Sequence, residues 1–270
     1  MPKLDICIET VFTEILFEDR IPKIVAHGFE ALEFWFWDYE FDGVGLKPKK
    51  KDINRIAALT KNSNLVITDI VVNSPDGSIG GFLTKPQDKA AYLGRLRETI
   101  DVAHLLGCKK IITCTGNAIE GVSREKQKQS IIDTLTEACQ ITEKEGIILL
   151  LEPLNTIVDH PGYFLFSSKE GFDIVRNVNS PNLRLLYDVY HMQIMEGNVT
   201  ATIRENIHLI GHFHGAGVPG RGELNRGELN YRYILDEIDV SEYNGYFGLE
   251  YFPKIGSEES LRQMASYLQK

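Results

Sequence analysis

The chain has 270 residues, with 29 lysines and arginines against 38 aspartates and glutamates, for a formal net charge of −9. Its 43% apolar content excludes a disordered chain. The acidic balance argues against a general binder of nucleic acid or anionic membranes, since such binding draws most of its affinity from phosphate neutralisation. The longest uninterrupted apolar run, Ile147 to Leu151, falls well short of the roughly 20 residues that a membrane-spanning helix needs.

At the N-terminus, Asp5 and Glu9 break any signal-peptide core, so a cytoplasmic location is expected. Short β-like runs are predicted at 4–9, 31–37, 65–72, 110–115, 147–153, 183–190, 209–214 and 246–251. Most are dense in Ile, Leu, Val and aromatic residues, as strands buried on both faces are. Between them lie helical stretches. The basic run Lys47-Pro-Lys-Lys-Lys51 reads as a solvated loop leading into one of them. Ser123 opens a helix whose stripe is Ile131, Leu135, Ala138 and Ile141, and Ser167-Ser-Lys-Glu170 has the form of a capping box. Asn198 reads as a further N-cap, and the last helix is predicted over 257–269. Gly28, Gly107 and Gly146 stand where left-handed residues end helices. Cys7, Cys108, Cys114 and Cys139 have no metal-type or Cys-x-x-Cys spacing and read as buried free thiols.

Eight strand–helix units in 270 residues give roughly 34 residues each, the size of a βα repeat. The predicted fold is one domain, 1–270, an eight-stranded parallel (β/α)₈ TIM barrel. An open doubly wound sheet competes, but the first predicted turn lacks its usual glycine-rich phosphate loop.

Four successive predicted strands end in a side chain able to hold a metal: Glu152, Asp188, His214 and Glu250. One such residue alone reads as a solvated rim group or, for Asp188, a helix N-cap. Four in a row, about one repeat apart, converge on one rim of a closed barrel. His212 and His214 point the same way along a strand, and the ligand is assigned to His214, nearer the C-terminal end. Three carboxylates gathered there repel one another unless a cation neutralises them. Three oxygens and one imidazole suit Mn²⁺, Mg²⁺ or Co²⁺, with Zn²⁺ also admitted. An α-hydroxycarbonyl can chelate such an ion, which acidifies the neighbouring C–H. Glu152 and Glu250 would then face the substrate from opposite sides and move the proton. Return to the adjacent carbon is isomerisation; return to the same carbon from the other face is epimerisation. Supporting roles are expected for His191 and Arg221 as substrate donors, and for Asn73 and Asn155 as positioners of polar groups. Trp37 is a candidate pocket wall, and Phe82 and Phe252 are candidates for a lid or a subunit contact in a homo-oligomer.

The chain resembles the xylose-isomerase-like TIM-barrel sugar isomerases and epimerases, and within them the hydroxypyruvate isomerase branch. The segments that carry the resemblance run the length of the chain: Val11-Phe-Thr-Glu14, Gly28-Phe-Glu-Ala-Leu-Glu-Phe34, Asn73-Ser-Pro-Asp-Gly77, Leu151-Glu-Pro-Leu-Asn155, His160-Pro-Gly-Tyr-Phe-Leu165, Tyr187-Asp-Val-Tyr-His191, Val218-Pro-Gly-Arg221 and Gly248-Leu-Glu-Tyr251. The resemblance implies metal ligands at Glu152, Asp188, His214 and Glu250, proton transfer by the two glutamates, and substrate contacts at His191 and Arg221. It implies a small hydroxycarbonyl substrate, with hydroxypyruvate to tartronate semialdehyde as the first candidate. Where the branch tends to carry a lysine after the last Glu-Tyr, this chain has Phe252, with Lys254 two positions on, so a longer 2-oxo acid or a neutral ketose is also expected to fit. A ketose 3-epimerase and an inosose-type dehydratase are the neighbouring alternatives. A non-catalytic sugar-binding module and a multi-zinc apurinic-site endonuclease relative are the remoter ones.

Overall fold

The computed structural model describes residues 2–41, 46–241 and 243–268. Its strands are β1 (Lys3–Cys7), β2 (Ala31–Trp35), β3 (Trp37–Phe41), β4 (Leu46–Lys50), β5 (Val66–Val71), β6 (Lys110–Thr113), β7 (Ile148–Leu151), β8 (Leu183–Asp188), β9 (Ile210–Gly215) and β10 (Tyr246–Leu249). The helices are α1 (Phe17–Ala26), α2 (Ile53–Asn62), α3 (Lys89–Leu106), α4 (Arg124–Glu145), α5 (Ser168–Val178), α6 (Val189–Met195), α7 (Val199–Asn206), α8 (Tyr231–Asp239) and α9 (Ser257–Leu268). Eight strands close a parallel barrel in the order β1-β2-β5-β6-β7-β8-β9-β10, with β10 returning to β1. The fold is the (β/α)₈ barrel that the alternation of runs predicts. Among the described residues no helix is long and apolar enough to cross a membrane.

Several local expectations differ. The predicted strand 31–37 breaks at Phe36, and an antiparallel hairpin of β3 and β4 follows it, outside the barrel. The basic run is therefore not a loop: it forms β4 and the turn into α2. Pro48 is tolerated because β4 is an edge strand with no further ladder to donate to. Lys51 at its end is buried against Glu9, with Nζ 3.0 Å from Oε1. The capping box at Ser167 does not form. Glu196, just past α6, takes over by accepting from the Ser168 N–H at 2.9 Å and from Ser167 Oγ at 2.7 Å. The strand predicted over 183–190 stops at Asp188, whose Oδ1 accepts from the Tyr190 N–H at 2.7 Å and so starts α6. Asn198 stands at the N-cap position of α7 but in the left-handed conformation and without a side-chain cap bond, whereas Ser123 Oγ accepts from the Lys126 N–H, and Gly107 and Gly146 end α3 and α4 in the left-handed conformation. The four cysteines are free and buried.

Two-residue alternation along each strand decides what fills the barrel. Outward residues such as Leu149, Leu151, Leu185 and Phe213 pack beneath the helices in the main apolar core. Inward residues form a smaller cluster of Ile112, Leu150 and Leu186. Asp5 on β1, Glu33 on β2, Asp69 on β5 and His212 on β9 are also buried within the barrel, on its other side. One step further along the strands, the same alternation delivers Glu152, Asp188, His214 and Glu250 to the C-terminal rim, where barrel sites are built.

Candidate active site

Glu152 follows the last residue of β7, Asp188 ends β8, His214 lies on β9, and Glu250 follows β10. The four strands are neighbours in the barrel, so the four side chains meet. Oxygens of Glu152, Asp188 and Glu250 and a nitrogen of His191 lie within 4.8 Å of one another. His214 Nδ1 is 3.7 Å from Glu152 Oε1 and 3.6 Å from Glu250 Oε2. Its other nitrogen, Nε2, is 2.9 Å from Glu33 Oε2. A carboxylate behind the distal nitrogen is the arrangement that fixes the ring and tautomer of a metal-ligating histidine. Glu33 lies inside the predicted strand 31–37 with no signal of its own in the sequence; its place behind His214 comes from the fold.

His191 is oriented differently. Its Nδ1 accepts from the Asn155 backbone N–H at 3.2 Å and from Asn155 Nδ2 at 2.7 Å. Asn155 Oδ1 is occupied by the backbone N–H groups of Val158 and Asp159, which settles the amide orientation. The His191 proton therefore sits on Nε2, 3.4 Å from Asp188 Oδ2. Burial, then the charge of Arg221, push its pKa well below the usual histidine value, so the ring is neutral. With its lone pair already engaged, His191 is a hydrogen-bond donor to whatever occupies the site rather than a ligand.

Arg221 caps the group, its guanidinium bonded to Glu250 Oε2 and its Nε without a partner among the described residues. It is held there by its loop: Arg221 has a φ of 52° and accepts the Phe252 N–H at 2.7 Å, while Gly217 donates to Gly222 at 2.7 Å. Buried Glu223 ties the same loop down by accepting from the Lys254 N–H and Ser260 Oγ, each at 2.9 Å. Lys254 itself lies over Gly222, away from the cavity lining, so it does not restore the missing cation.

The site opens into a cavity of about 440 Å³ lined by Trp35, Trp37, Asp76, Asp159, His160 and Phe252 besides the central residues. That is within the range of roughly 300–1,000 Å³ typical of small-molecule sites. Trp37 thus lines the cavity as expected. Asn73 does not: its amide is spent on the backbone of Cys114, donating at 2.8 Å and accepting at 2.9 Å. Asn155 acts through His191 rather than facing the cavity. Phe82 packs against Gly77 and Gly116 and leaves only Phe252 at the mouth.

The electrostatics match the crowding. Burial, then Glu250 and Asp188, raise Glu152 to about 8. Burial, then Glu250, raise Asp188 to about 6. Burial opposes ionisation of Glu250 too, but Arg221 and His214 outweigh it and hold that carboxyl below the usual range. Glu152 Oε1 and His214 Nδ1 are buried and lack hydrogen-bond partners among the described residues. Three carboxylates and a correctly turned imidazole, with those atoms aimed at one another, fit a divalent cation.

The profile of the Xylose isomerase-like TIM barrel family matches residues 21–270. A 2-oxo-tetronate isomerase from Cupriavidus necator is 31% identical over 99% of this chain and 99% of its own length. A hydroxypyruvate isomerase from Escherichia coli is 33% identical over 96% of this chain and 97% of its own. Among solved structures, one titled AP endonuclease, family 2, from Brucella melitensis superposes with a TM-score of 0.88 at 29% identity, covering 99% of both chains. The chain belongs to the xylose isomerase-like TIM barrel family.

Proposed function

We propose that the chain is a divalent-metal-dependent isomerase of small hydroxylated 2-oxo acids. The observation that carries this is the convergence of Glu152, Asp188, Glu250 and His214 Nδ1 at the cavity floor, with Glu152 Oε1 and His214 Nδ1 unpartnered. The relatives' names, a hydroxypyruvate isomerase and a 2-oxo-tetronate isomerase, supply the substrate class.

Glu152, Asp188, His214 and Glu250 would hold the ion, whose chemistry there is to polarise the substrate carbonyl and lower the pKa of the adjacent C–H. The remaining work belongs to side chains. Glu152 and Glu250 flank the substrate from the outer two of the four strands. A glutamate removes the proton from the hydroxyl-bearing carbon, and a proton is returned to the former carbonyl carbon. The hydroxyl proton passes between the two oxygens, so the carboxylate is regenerated and substrate and product are isomers. His191 Nε2–H donates to the oxygen that gains charge in the enediolate. Arg221 Nε is free to take the substrate carboxylate, and the tryptophans and Phe252 exclude water. Hydroxypyruvate is the first candidate, and with Phe252 in place of a second cation a longer 2-oxo acid such as 2-oxo-tetronate is the alternative.

Steady-state turnover of hydroxypyruvate and of 2-oxo-tetronate tests this in wild type, Glu152→Gln and Glu250→Gln. Each variant is expected to lose on the order of 10²–10⁴ in kcat even at divalent-ion concentrations raised until metal content matches wild type. A wild-type protein that binds the acids without converting either, under several divalent ions, is a binding module and overturns the reading.

A further inference from the structure

Below the rim, inside the barrel, lies a second set of chemically competent residues that the proposed reaction does not use. Asp5, Glu33, Asp69 and His212 each offer a ligand atom, all within 4.8 Å of one another, and all four are buried. His212 Nε2 is 3.4 Å from Glu33 Oε2, 3.4 Å from Asp69 Oδ2 and 3.7 Å from Asp5 Oδ2. Ligands about 2.1 Å from a tetrahedral ion are separated by roughly 3.4 Å. Both nitrogens of His212 and both oxygens of Asp69 lack hydrogen-bond partners among the described residues, a costly state for fully buried groups.

Two further observations bear on occupancy. The strand that completes the enclosure carries Gly248, where a Cβ would come within 2.7 Å of His214 Cδ2 and 3.2 Å of both Glu33 Oε2 and His212 Nε2, so the absence of a side chain there lets both rings and Glu33 stand this close together. The charge is unbalanced whenever His214, 2.9 Å from Glu33, is neutral: among the described residues the three carboxylates then have Lys110 as their neighbouring cation, fixed by donating to the Gly211 carbonyl at 2.8 Å. A neutral imidazole and one dication would close that balance. Glu33 also lines the cavity floor, which supplies an entry path past the rim.

We propose that Asp5, Glu33, Asp69 and His212 form a second, closed, four-coordinate site for a zinc-type divalent ion, stacked beneath the rim site and joined to it through Glu33 and His214. The ion neutralises the barrel interior and holds Glu33, and Glu33 in turn holds the ring of His214. This site stands independently of the isomerase reading.

The test is a titration of chelator-stripped protein with Co²⁺, followed by visible absorption and by metal content after gel filtration. Wild type is expected to bind two equivalents per chain. Glu152→Gln/Asp188→Asn should bind one, with the intense visible bands of four-coordinate cobalt, and Asp69→Asn should lose those bands while keeping the other equivalent. Should Asp69→Asn misfold by circular dichroism, Asp5→Asn gives the same comparison at a second carboxylate of the set. A single equivalent in wild type that disappears in Glu152→Gln/Asp188→Asn overturns the proposal. A single equivalent that survives there and carries the four-coordinate bands supports it, and removes the rim site instead.

Discussion

Tyr163 links the stability of the barrel to the placement of its candidate base. The ring is 2% exposed, and its hydroxyl accepts from the Thr115 N–H and donates to the Glu152 carbonyl, each at 2.9 Å. Tyr163→Phe keeps the ring and deletes both bonds. The two backbone groups stay buried without those partners, and an unsatisfied group costs roughly 1–3 kcal/mol, so a loss of about 2–6 kcal/mol is expected. At roughly 2.1 cal/mol/K of unfolding entropy per residue, a chain of 270 residues shifts by about 2 °C per kcal/mol. Scanning calorimetry should therefore show Tm falling by about 4–11 °C. Because the freed carbonyl belongs to Glu152 itself, kcat should fall more than KM rises. A Tm within 1 °C of wild type, with kcat unchanged, would refute both the pairing and its link to the site.

Lys51→Met strands Glu9, whose Oε1 the Lys51 ammonium approaches at 3.0 Å, and should cost about 3–5 kcal/mol by urea unfolding. Adding Glu9→Gln should recover most of that loss, and a double variant no better than the single one would contradict the pairing. Asn155→Ala removes the shorter of the two bonds to His191 Nδ1 and leaves the backbone N–H at 3.2 Å, so it should lower kcat about threefold to tenfold at near-constant KM, with a changed ¹⁵N shift at Nδ1; an unaltered shift would show that the backbone N–H alone sets the tautomer. In the metal-free protein, Glu152 at about 8, Asp5 at about 7 and Asp188 at about 6 are all raised by burial. Their folded values exceed the unfolded ones, so they favour the fold at low pH and that contribution is lost as pH rises through these values. The Tm of the metal-free protein should fall between about pH 5 and pH 8, a divalent ion should remove the slope, and ion binding near pH 7 should release protons in calorimetry with buffers of different ionisation enthalpy. A flat profile without the ion would contradict these shifts.

The rim site was legible because it follows a period: Glu152, Asp188, His214 and Glu250 each sit just past an apolar run, and a closed barrel turns equal spacing along the chain into proximity. The second layer was harder to read. Asp5 and Asp69 each interrupt an apolar strand at an inward position, a signal that strict alternation would have exposed; Glu33 was masked by the aromatic run beside it. The β3–β4 hairpin was hidden because β2 and β3 form one continuous aromatic stretch with no glycine or proline at the break. Asn73 and Asn155 show a different limit. Both stand at strand exits, where a free amide and one spent on the backbone have the same sequence signature, and only the coordinates separate them.

The most direct measurement is proton NMR of hydroxypyruvate and 2-oxo-tetronate incubated in D₂O with the protein and Mn²⁺, Mg²⁺ or Co²⁺, the paramagnetic ions being removed before spectra are taken. Proton transfer by Glu152 and Glu250 at a metal-loaded rim predicts deuterium at a carbon next to the carbonyl of at least one acid, with isomer formed, and neither without the ion nor in Glu152→Gln/Glu250→Gln. Undeuterated acid recovered intact with every ion would contradict it.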